Sequence, residues 1–470
     1  MERLTSLSDT PLLPVAVCLM VGITVGWWWQ PGFSLLFVMT GAVVVAFACH
    51  RWPVAQTVAI LFCCVTLGMT LVQVQGRADE AYYGRELHGV VVSEPAERPR
   101  TVVIELLVPS AGGRTLRCYL WKDGNSRRLM LGDELVVRLN DSTSFVPRNE
   151  WHHGGTAIGQ LTRWQRTKLW FLKLRHELLQ RFRDFGAEKE TYAVLAAMTL
   201  GDKSAQTASL RETFAVSGAS HVLAISGLHI GIVYMLLTWF MVGSSRFWLS
   251  QVLILSAVWA FALLTGLSPS VTRAAAMITI YSVFAHRGGR ASSLNVVCFA
   301  AIVMLLTDVS MLFEVSFQLS FAAVFAIVVF MPMLRGVYRP QNVLLRWAWN
   351  IILLTTCAQL GVAPLIAYYF GRFSTYFLLT NLLVIPAATL ILYGSLLSLF
   401  FPSVSAALLW IVRALNGSLR YIAALPGVSI DGLHPTVLQV ALMYVFIAII
   451  AAITFFFTKY SKKFTAIGKK

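Results

Sequence analysis

Apolar runs of the length a helix needs to cross hydrocarbon, about 20 residues, recur from one end of this chain to the other. In lipid every backbone N–H and C=O must find its partner within the chain, which confines such runs to helices. Three precede position 76, over Leu12–Trp28, 33–49 and 54–74. About nine more follow position 187, centred near Leu228, Leu255, Met277, Ile302, Ala323, Leu360, Leu390, Leu409 and Val445. Composition agrees: 57% of the 470 residues are hydrophobic and 13% charged, more apolar surface than a soluble core can hide. The expected fold is a polytopic α-helical membrane protein of about twelve spans.

The pattern changes between 77 and 163. Apolar runs shorten to strand length over 89–93, Thr101–Val108, 116–121 and 134–139, with turn signals at Pro95, Gly112-Gly113, Asp123-Gly124-Asn125 and Gly132-Asp133. Roughly five short strands fit a small β-barrel of the OB type. Its twelve basic residues face eleven acidic ones, for a net charge of +1, so the region is no general polyanion binder. A local strip is the exception, where Arg117 and Lys122 interleave with Tyr119 and Trp121. Such aromatics offer stacking surfaces for bases, and the same pattern also describes an ordinary solvated strand.

Residues 164–186 read as an amphipathic helix lying in the membrane interface. The stripe is Trp164, Phe171, Leu174, Leu178, Phe182 and Phe185, and the net charge is +4. The chain as a whole carries +16, most of which the positive-inside rule assigns to cytoplasmic connections. With the strand region outside, the basic segments 244–247, 286–290, 335–346 and 459–470 all fall inside, as do both termini. The first apolar run lacks a strongly cationic leader and a small-residue cleavage site, so it is expected to stay as a spanning helix. The domain plan is therefore three helices in 1–76, the strand region in 77–163, the interfacial helix in 164–186, a membrane domain in 187–458 and a basic tail in 459–470. Six of the seven cysteines lie in apolar runs, where a thiol behaves as a small hydrophobe.

The most informative segment is Ser217-Gly-Ala-Ser-His-Val-Leu-Ala-Ile-Ser-Gly-Leu-His-Ile-Gly231, which sets His221, Ser226 and His229 into what reads as an apolar helix. Polar groups at such depth either bond neighbouring helices or line a wet path. Gly227 and Gly231 form a GxxxG pair, expected to admit a close helix crossing. Ser226 and His229 also share a helix face, as a nucleophile and base would. No Gly-x-Ser-x-Gly elbow or orienting carboxylate accompanies them, so no enzyme activity is expected.

The stretch His221 to Gly231 resembles the signature of the ComEC family of competence proteins. Four further blocks resemble the family in order: Leu195-Ala-Ala-Met-Thr-Leu-Gly-Asp202, Thr265-Gly-Leu-Ser-Pro-Ser-Val-Thr-Arg-Ala, Phe317-Gln-Leu-Ser-Phe-Ala-Ala323 and Asn381-Leu-Leu-Val-Ile-Pro386. The resemblance implies an inner-membrane channel that passes single-stranded DNA to the cytoplasm during natural transformation. It further implies an external DNA receptor or uptake machinery, a cytoplasmic motor or strand-binding proteins, and contact with a second copy as open partners. The family motif supplies His221, Ser226, Gly227, His229, Gly231, Arg273, Gln318, Ser320, Asn381 and Pro386 as channel candidates. A polyanion needs a wet, acid-poor path, for which Gln359, Arg413, Asn416 and Arg420 are further candidates. The last three recur on one helix face. Arg413 and Arg420 also fit an interfacial helix that snorkels to headgroups.

Two departures from the family stand out. Larger members carry a metallo-β-lactamase-like domain after the membrane part, and no H-x-H-x-D-H motif occurs here, so neither nuclease, metal nor cofactor is expected. The segment around Trp151-His-His-Gly-Gly155 is unlike the family's, and His152 and His153 are expected exposed in a loop. Two rival functions remain: a transporter of a smaller anionic or lipid-linked substrate, and a membrane hydrolase using Ser226 and His229.

Overall fold

The first three apolar runs fold as α1 (Leu12–Trp28), α2 (Leu35–Ala48) and α3 (Pro53–Gln75). The computed structural model describes residues 10–29, 35–75, 86–97, 100–111, 114–138, 145–146, 151–241, 247–286, 292–336 and 338–467. Pro53 opens α3, where its missing N–H has no intrahelical acceptor to lose. Helices α1 and α3 meet at backbone distance, because a Cβ at Gly68 would fall 2.6 Å from the Leu19 carbonyl and one at Gly26 2.8 Å from Met69 Cα. Here a GxxxG pair, Gly22 and Gly26, does admit a close crossing.

A sheet follows, built from β1 (Glu86–Val91), β2 (Ala96–Glu97), β3 (Thr101–Val108), β4 (Arg114–Trp121), β5 (Glu134–Arg138), β6 (Phe145–Val146) and β7 (Trp151–His153). Its order is β6-β4-β3-β1-β5-β7, with β2 also on β3, and every pairing is antiparallel except β4 with β6. Ile104, Leu106, Cys118, Leu120, Leu135 and Val137 form a core on one face. On the other, Val90, Val92 and Leu107 pack against Ala157 of α4 (Ala157–Gln160) and Leu169 and Leu172 of α5 (Arg163–Asp184). Burial on both faces explains why β3 reads as nearly continuous apolar sequence. His152 and His153 are exposed as expected, yet on strand β7 rather than in a loop, since the backbone pairs with β5 at Val136 and Leu135.

Helix α5 departs from expectation. Thr162 caps it, accepting from Gln165 N at 3.3 Å while Gln165 Oε1 accepts from Thr162 N at 2.8 Å. Its buried stripe is Gln165, Leu169, Leu172, Leu179 and Phe182, whereas Trp164 is 56% exposed. The stripe is rotated because the helix serves two bodies: Leu169 and Leu172 enter the sheet's core, and Leu179 and Phe182 enter the largest core of the helical bundle. Glu94 beside β2 meets His176 at 2.5 Å, and Arg175 lies over Gly266 of the bundle.

The bundle comprises α6 (Lys189–Leu200), α7 (Ala208–Val216), α8 (Gly227–Phe240), α9 (Phe247–Leu264), α10 (Pro269–His286), α11 (Ser293–Thr307), α12 (Val315–Leu334), α13 (Val343–Phe370), α14 (Phe377–Phe400), α15 (Ser405–Ala423) and α16 (Val437–Ile467). Strands β8 (Arg372–Ser374) and β9 (Ser429–Asp431) pair between α13, α14, α15 and α16. Among the described residues, α3, α12, α13 and α14 are long and apolar enough to cross a membrane, and six shorter apolar helices accompany them. Large apolar side chains such as Phe37, Phe47, Trp239, Phe240 and Phe446 face outward, as a lipid solvent allows. The chain is a mostly helical membrane protein. The turn at 112–113, most of the basic connections at 244–247 and 286–290, and 468–470 lie outside the described residues. The basic segment from 459 continues α16 as far as Ile467.

Candidate functional site

The segment from Ser217 to Gly231 is not one helix. Ser217 caps α7, Gly218 takes φ +83, and Ala219 N reaches back to Phe214 O at 2.7 Å. That left-handed turn closes a helix, and only glycine adopts it without strain. The chain then runs through turns until α8 begins at Gly227, with Ser226 extended at its N-cap. Serine favours that position because its side chain competes for backbone partners. Of the three polar residues expected in the helix, only His229 is inside it. His221 is exposed in the unwound stretch.

His229 is fully buried, and its Nδ1 takes the Ser226 backbone N–H at 3.2 Å with Ser226 Oγ also at 3.2 Å. Accepting at Nδ1 leaves the proton on Nε2, and Nε2 is buried with no partner. This is cap geometry rather than a nucleophile and its base: Nδ1 already holds a backbone proton, and among the described residues no carboxylate meets Nε2. The Gly227–Gly231 pair also departs from expectation. A Cβ at Gly227 would meet only Ala274 Cβ, at 3.5 Å, and one at Gly231 nothing within 4 Å. The glycines leave this side of α8 open, and a tight crossing falls instead at Gly361, where a Cβ would lie 2.7 Å from Ala326 Cβ.

Arg273 on α10 is only 2% exposed. Its Nη2 donates to Ser316 O at 2.8 Å and Nη1 to Ser316 Oγ at 3.4 Å, with the Glu314 carboxylate 3.4 Å from that hydroxyl. A buried guanidinium needs such compensation, yet its Nε has no partner. Gln318 is also engaged, donating from Nε2 to Leu312 O at 2.9 Å and accepting from Tyr369 Oη at 2.6 Å. Ser320 and Gln359 are half-buried. Asn381 buries an unpartnered Oδ1 on α14, and Pro386 lies inside that helix.

On α15 the expected common face divides. Arg413 and Arg420 are exposed, and Arg420 pairs with Glu190 of α6, while Asn416 is buried with an unpartnered Oδ1. The division follows α15's amphipathic character, with Leu408, Val412, Leu415 and Leu419 in the core. Two cavities, of about 230 and 210 Å³, lie beside Tyr234, Met277 and Tyr281 and beside Arg181, Asp184 and Ser398. No motif residue lines either.

Sequence reasoning missed the side chains that fasten the unwound segment. Thr380 Oγ1, buried on α14, donates to Ser217 O at 2.8 Å, and Tyr393 Oη to Ile232 O at 3.1 Å. Ser374 Oγ lies where a Cβ on Gly218 would stand 2.8 Å away. Arg372 holds Asp431 at 2.5 Å and Glu212 at 2.8 Å, clasping β8, β9 and α7 together. The available signal was a lone polar residue inside each apolar run.

On the sheet, Arg117, Tyr119 and Trp121 share the face opposite buried Cys118 and Leu120. Arg117 faces Glu105 across the strands at 3.1 Å, and Lys122 holds Glu97 at 2.7 Å. The Glu105 hydrogen bond pushes the Arg117 pKa up, and the Lys122 hydrogen bond pulls the Glu97 carboxyl down. The strip's two cations are thus matched by acids.

Apolar helices, with an unwound stretch between α7 and α8, mark a helical membrane protein, and comparison with known proteins assigns its family. The chain belongs to the ComEC-type competence family, for the family described as "Competence protein" matches residues 198–456, more than half its length. It is 30% identical to ComE operon protein 3 of Bacillus subtilis (strain 168) over 260 residues, 55% of this chain and 32% of that one. It is 28% identical to an uncharacterized protein of Aquifex aeolicus (strain VF5) over 233 residues, 49% of this chain and 54% of the relative. The matched part therefore spans between a third and about half of these relatives. No solved structure matches.

Proposed function

We propose that this chain conducts single-stranded DNA across the cytoplasmic membrane during natural transformation. The observation that carries the reading is the position of the unwound, polar 217–226 segment within the region matched to the competence family. From Lys203 to Thr307 the single acidic residue is Glu212, paired with Arg372, while Asp202 is buried beside the segment and Glu314 stands next to Ser316, the partner of Arg273.

In this reading the chain crosses the membrane about twelve times, with both termini cytoplasmic and the 86–153 sheet outside as an OB-type domain. The strip of Arg117, Tyr119, Trp121 and Lys122 would meet the incoming strand by stacking. External uptake machinery delivers the DNA, and a cytoplasmic motor or strand-binding protein draws it in. The protein has no catalytic role of its own here.

Deletion of the gene tests the reading, with transformation scored for free DNA and for conjugated DNA in parallel. Loss with free DNA and retention with conjugated DNA is expected. Unchanged transformation by free DNA, or equal loss by both routes, would sink it.

A further inference from the structure

We propose that the seam where the sheet meets the bundle, carrying Arg117, Lys168, Arg175 and Lys203, holds the phosphodiester backbone of the passing strand. The inference deepens the DNA-uptake reading and rests on it, naming the ground the strand crosses between the sheet and the unwound segment.

Register places the seam. Successive residues of a strand face opposite ways, so Arg117 and Tyr119 of β4 share a face with Glu105 and Val103, their partners on β3, and with Leu107. Leu107 belongs to the core formed with Leu169 and Leu172 of α5, so the cationic strip and α5 occupy the same side of the sheet. Lys168 and Lys173 flank those buried leucines on opposite sides of the helix. Lys173 lies over Gly132, in the turn that leads into β5. The Lys168 flank faces β3 and β4 instead, within reach of the Glu105 charge. Arg175, seven residues on, continues that flank and lies over Gly266 of the bundle. Beside it, a Cβ on Gly201 would stand 3.5 Å from the Thr265 carbonyl oxygen and 3.1 Å from Ile225 Cδ1. Lys203 follows on this turn, exposed, and Gln206 after it donates to Leu223 O of the unwound segment at 3.2 Å. The cations thus lead from the sheet's strip to the unwound segment.

The acids along the seam are already engaged. Glu105 takes Arg117 at 3.1 Å, Glu94 takes His176 at 2.5 Å, and Asp202, buried next to Lys203, accepts from Ser204 Oγ at 2.7 Å. Among the described residues, Lys168, Arg175 and Lys203 have no acid within ion-pair distance. Burial lowers the pKa of both lysines, and Arg117 lowers that of Lys203 further. Like charges therefore stand together with no acid to spare for them. A nucleic-acid backbone, with one negative charge per phosphate, supplies the counter-charge, and Tyr119 beside Arg117 offers a ring to its bases.

The test uses the full chain in phosphatidylcholine nanodiscs with a fluorescein-labelled oligothymidylate, and reads how its Kd changes with salt. For a single strand, each phosphate neutralised by a cation contributes about 0.7 to that logarithmic slope. Lys168→Gln and Lys203→Gln should each reduce the slope by about this amount. Lys173→Gln, on the opposite flank of α5, should leave it unchanged, and melting temperatures confirm that all three variants are folded. No binding by the wild-type chain, an unaltered slope in either folded seam variant, or an equal loss in Lys173→Gln, as a diffuse basic surface would give, overturns the seam. So does disappearance of the difference between Lys203→Gln and Lys173→Gln once phosphatidylglycerol is added to the disc, which assigns the cations to lipid headgroups. The deletion experiment separates the two ideas: lost uptake with slopes alike in all variants removes the seam and leaves the DNA-uptake reading standing. Normal uptake with the expected slopes removes that reading and leaves a strand-binding seam.

Discussion

The sheet keeps its paired cations at the surface, while the bundle buries one cation, Arg273. On the sheet, cations sit opposite acids at the surface, Arg117 with Glu105 and Lys122 with Glu97, and the alternating side chains leave an apolar core. The bundle buries the Arg273 guanidinium with its Nε unmet, and with it His229 Nε2, Asn381 Oδ1 and Asn416 Oδ1, while the sheet leaves His88 Nδ1 and Trp151 Nε1 unmet among the described residues. Paired groups in water are cheap to remove, whereas unmet groups in a low-dielectric interior are retained only for a reason. The contrast lies in what is buried: a guanidinium inside the bundle, against paired charges left in water on the sheet.

The largest effect is expected where the bundle's compensation is reversed. Arg273→Glu would set a buried carboxylate against Ser316 O near Glu314, costing more than about 3 kcal/mol; the amount of folded protein in isolated membranes and its melting temperature report this. Thr380→Val keeps the shape but strips Ser217 O of its buried donor, a loss of about 1.5 kcal/mol in unfolding experiments. If it costs nothing, the unwound segment is not fastened from α14 as described. Ser226→Ala removes the N-cap hydroxyl, worth about 1 kcal/mol, while free-DNA transformation should persist; abolished uptake in a folded variant would restore the nucleophile reading.

The sheet should respond weakly. Arg117→Ala breaks an exposed pair and should change stability by no more than about 0.5 kcal/mol, so a larger drop in melting temperature would erase the contrast. The smallest effect is on pH. Glu97 has its carboxyl pKa lowered by Lys122, so its contribution is present above the ordinary carboxylate pKa and disappears as pH falls through the lowered one. Hydrogen exchange at β2 and β3 should show protection fading in that window, and in Lys122→Ala most of that pH dependence should be lost.

Much of the secondary structure was written in local pattern. The runs at α1 and β3 have the same limits in sequence and structure, Leu12–Trp28 and Thr101–Val108, because each is bounded by turn-forming or polar residues. The break at 217–226 was illegible by composition: Ala219, Val222, Leu223 and Ile225 are all buried, and cap chemistry at Gly218 and Ser226 decides against a helix that hydropathy favours. Strands β6 and β7 exist only through their partners. The stripe on α5 was misplaced for a similar reason, since no periodicity can announce that a helix must satisfy two bodies at once. For the site, His229 was recognisable as an unusual residue, but its unmet nitrogen follows from Ser226 taking the other one, which is tertiary information.

That shared helix also imposes an order on biosynthesis. Leu169 and Leu172 can join the sheet as soon as they leave the ribosome, and Leu179 and Phe182 meet Tyr192 and Leu195 of α6 soon after, whereas Val384, Ala388 and Leu408 of the same core come some two hundred residues later in the chain. Because domains fold in the order they emerge, the sheet, α5 and α6 are expected to assemble first, with the far wall of that core added when α14 and α15 arrive.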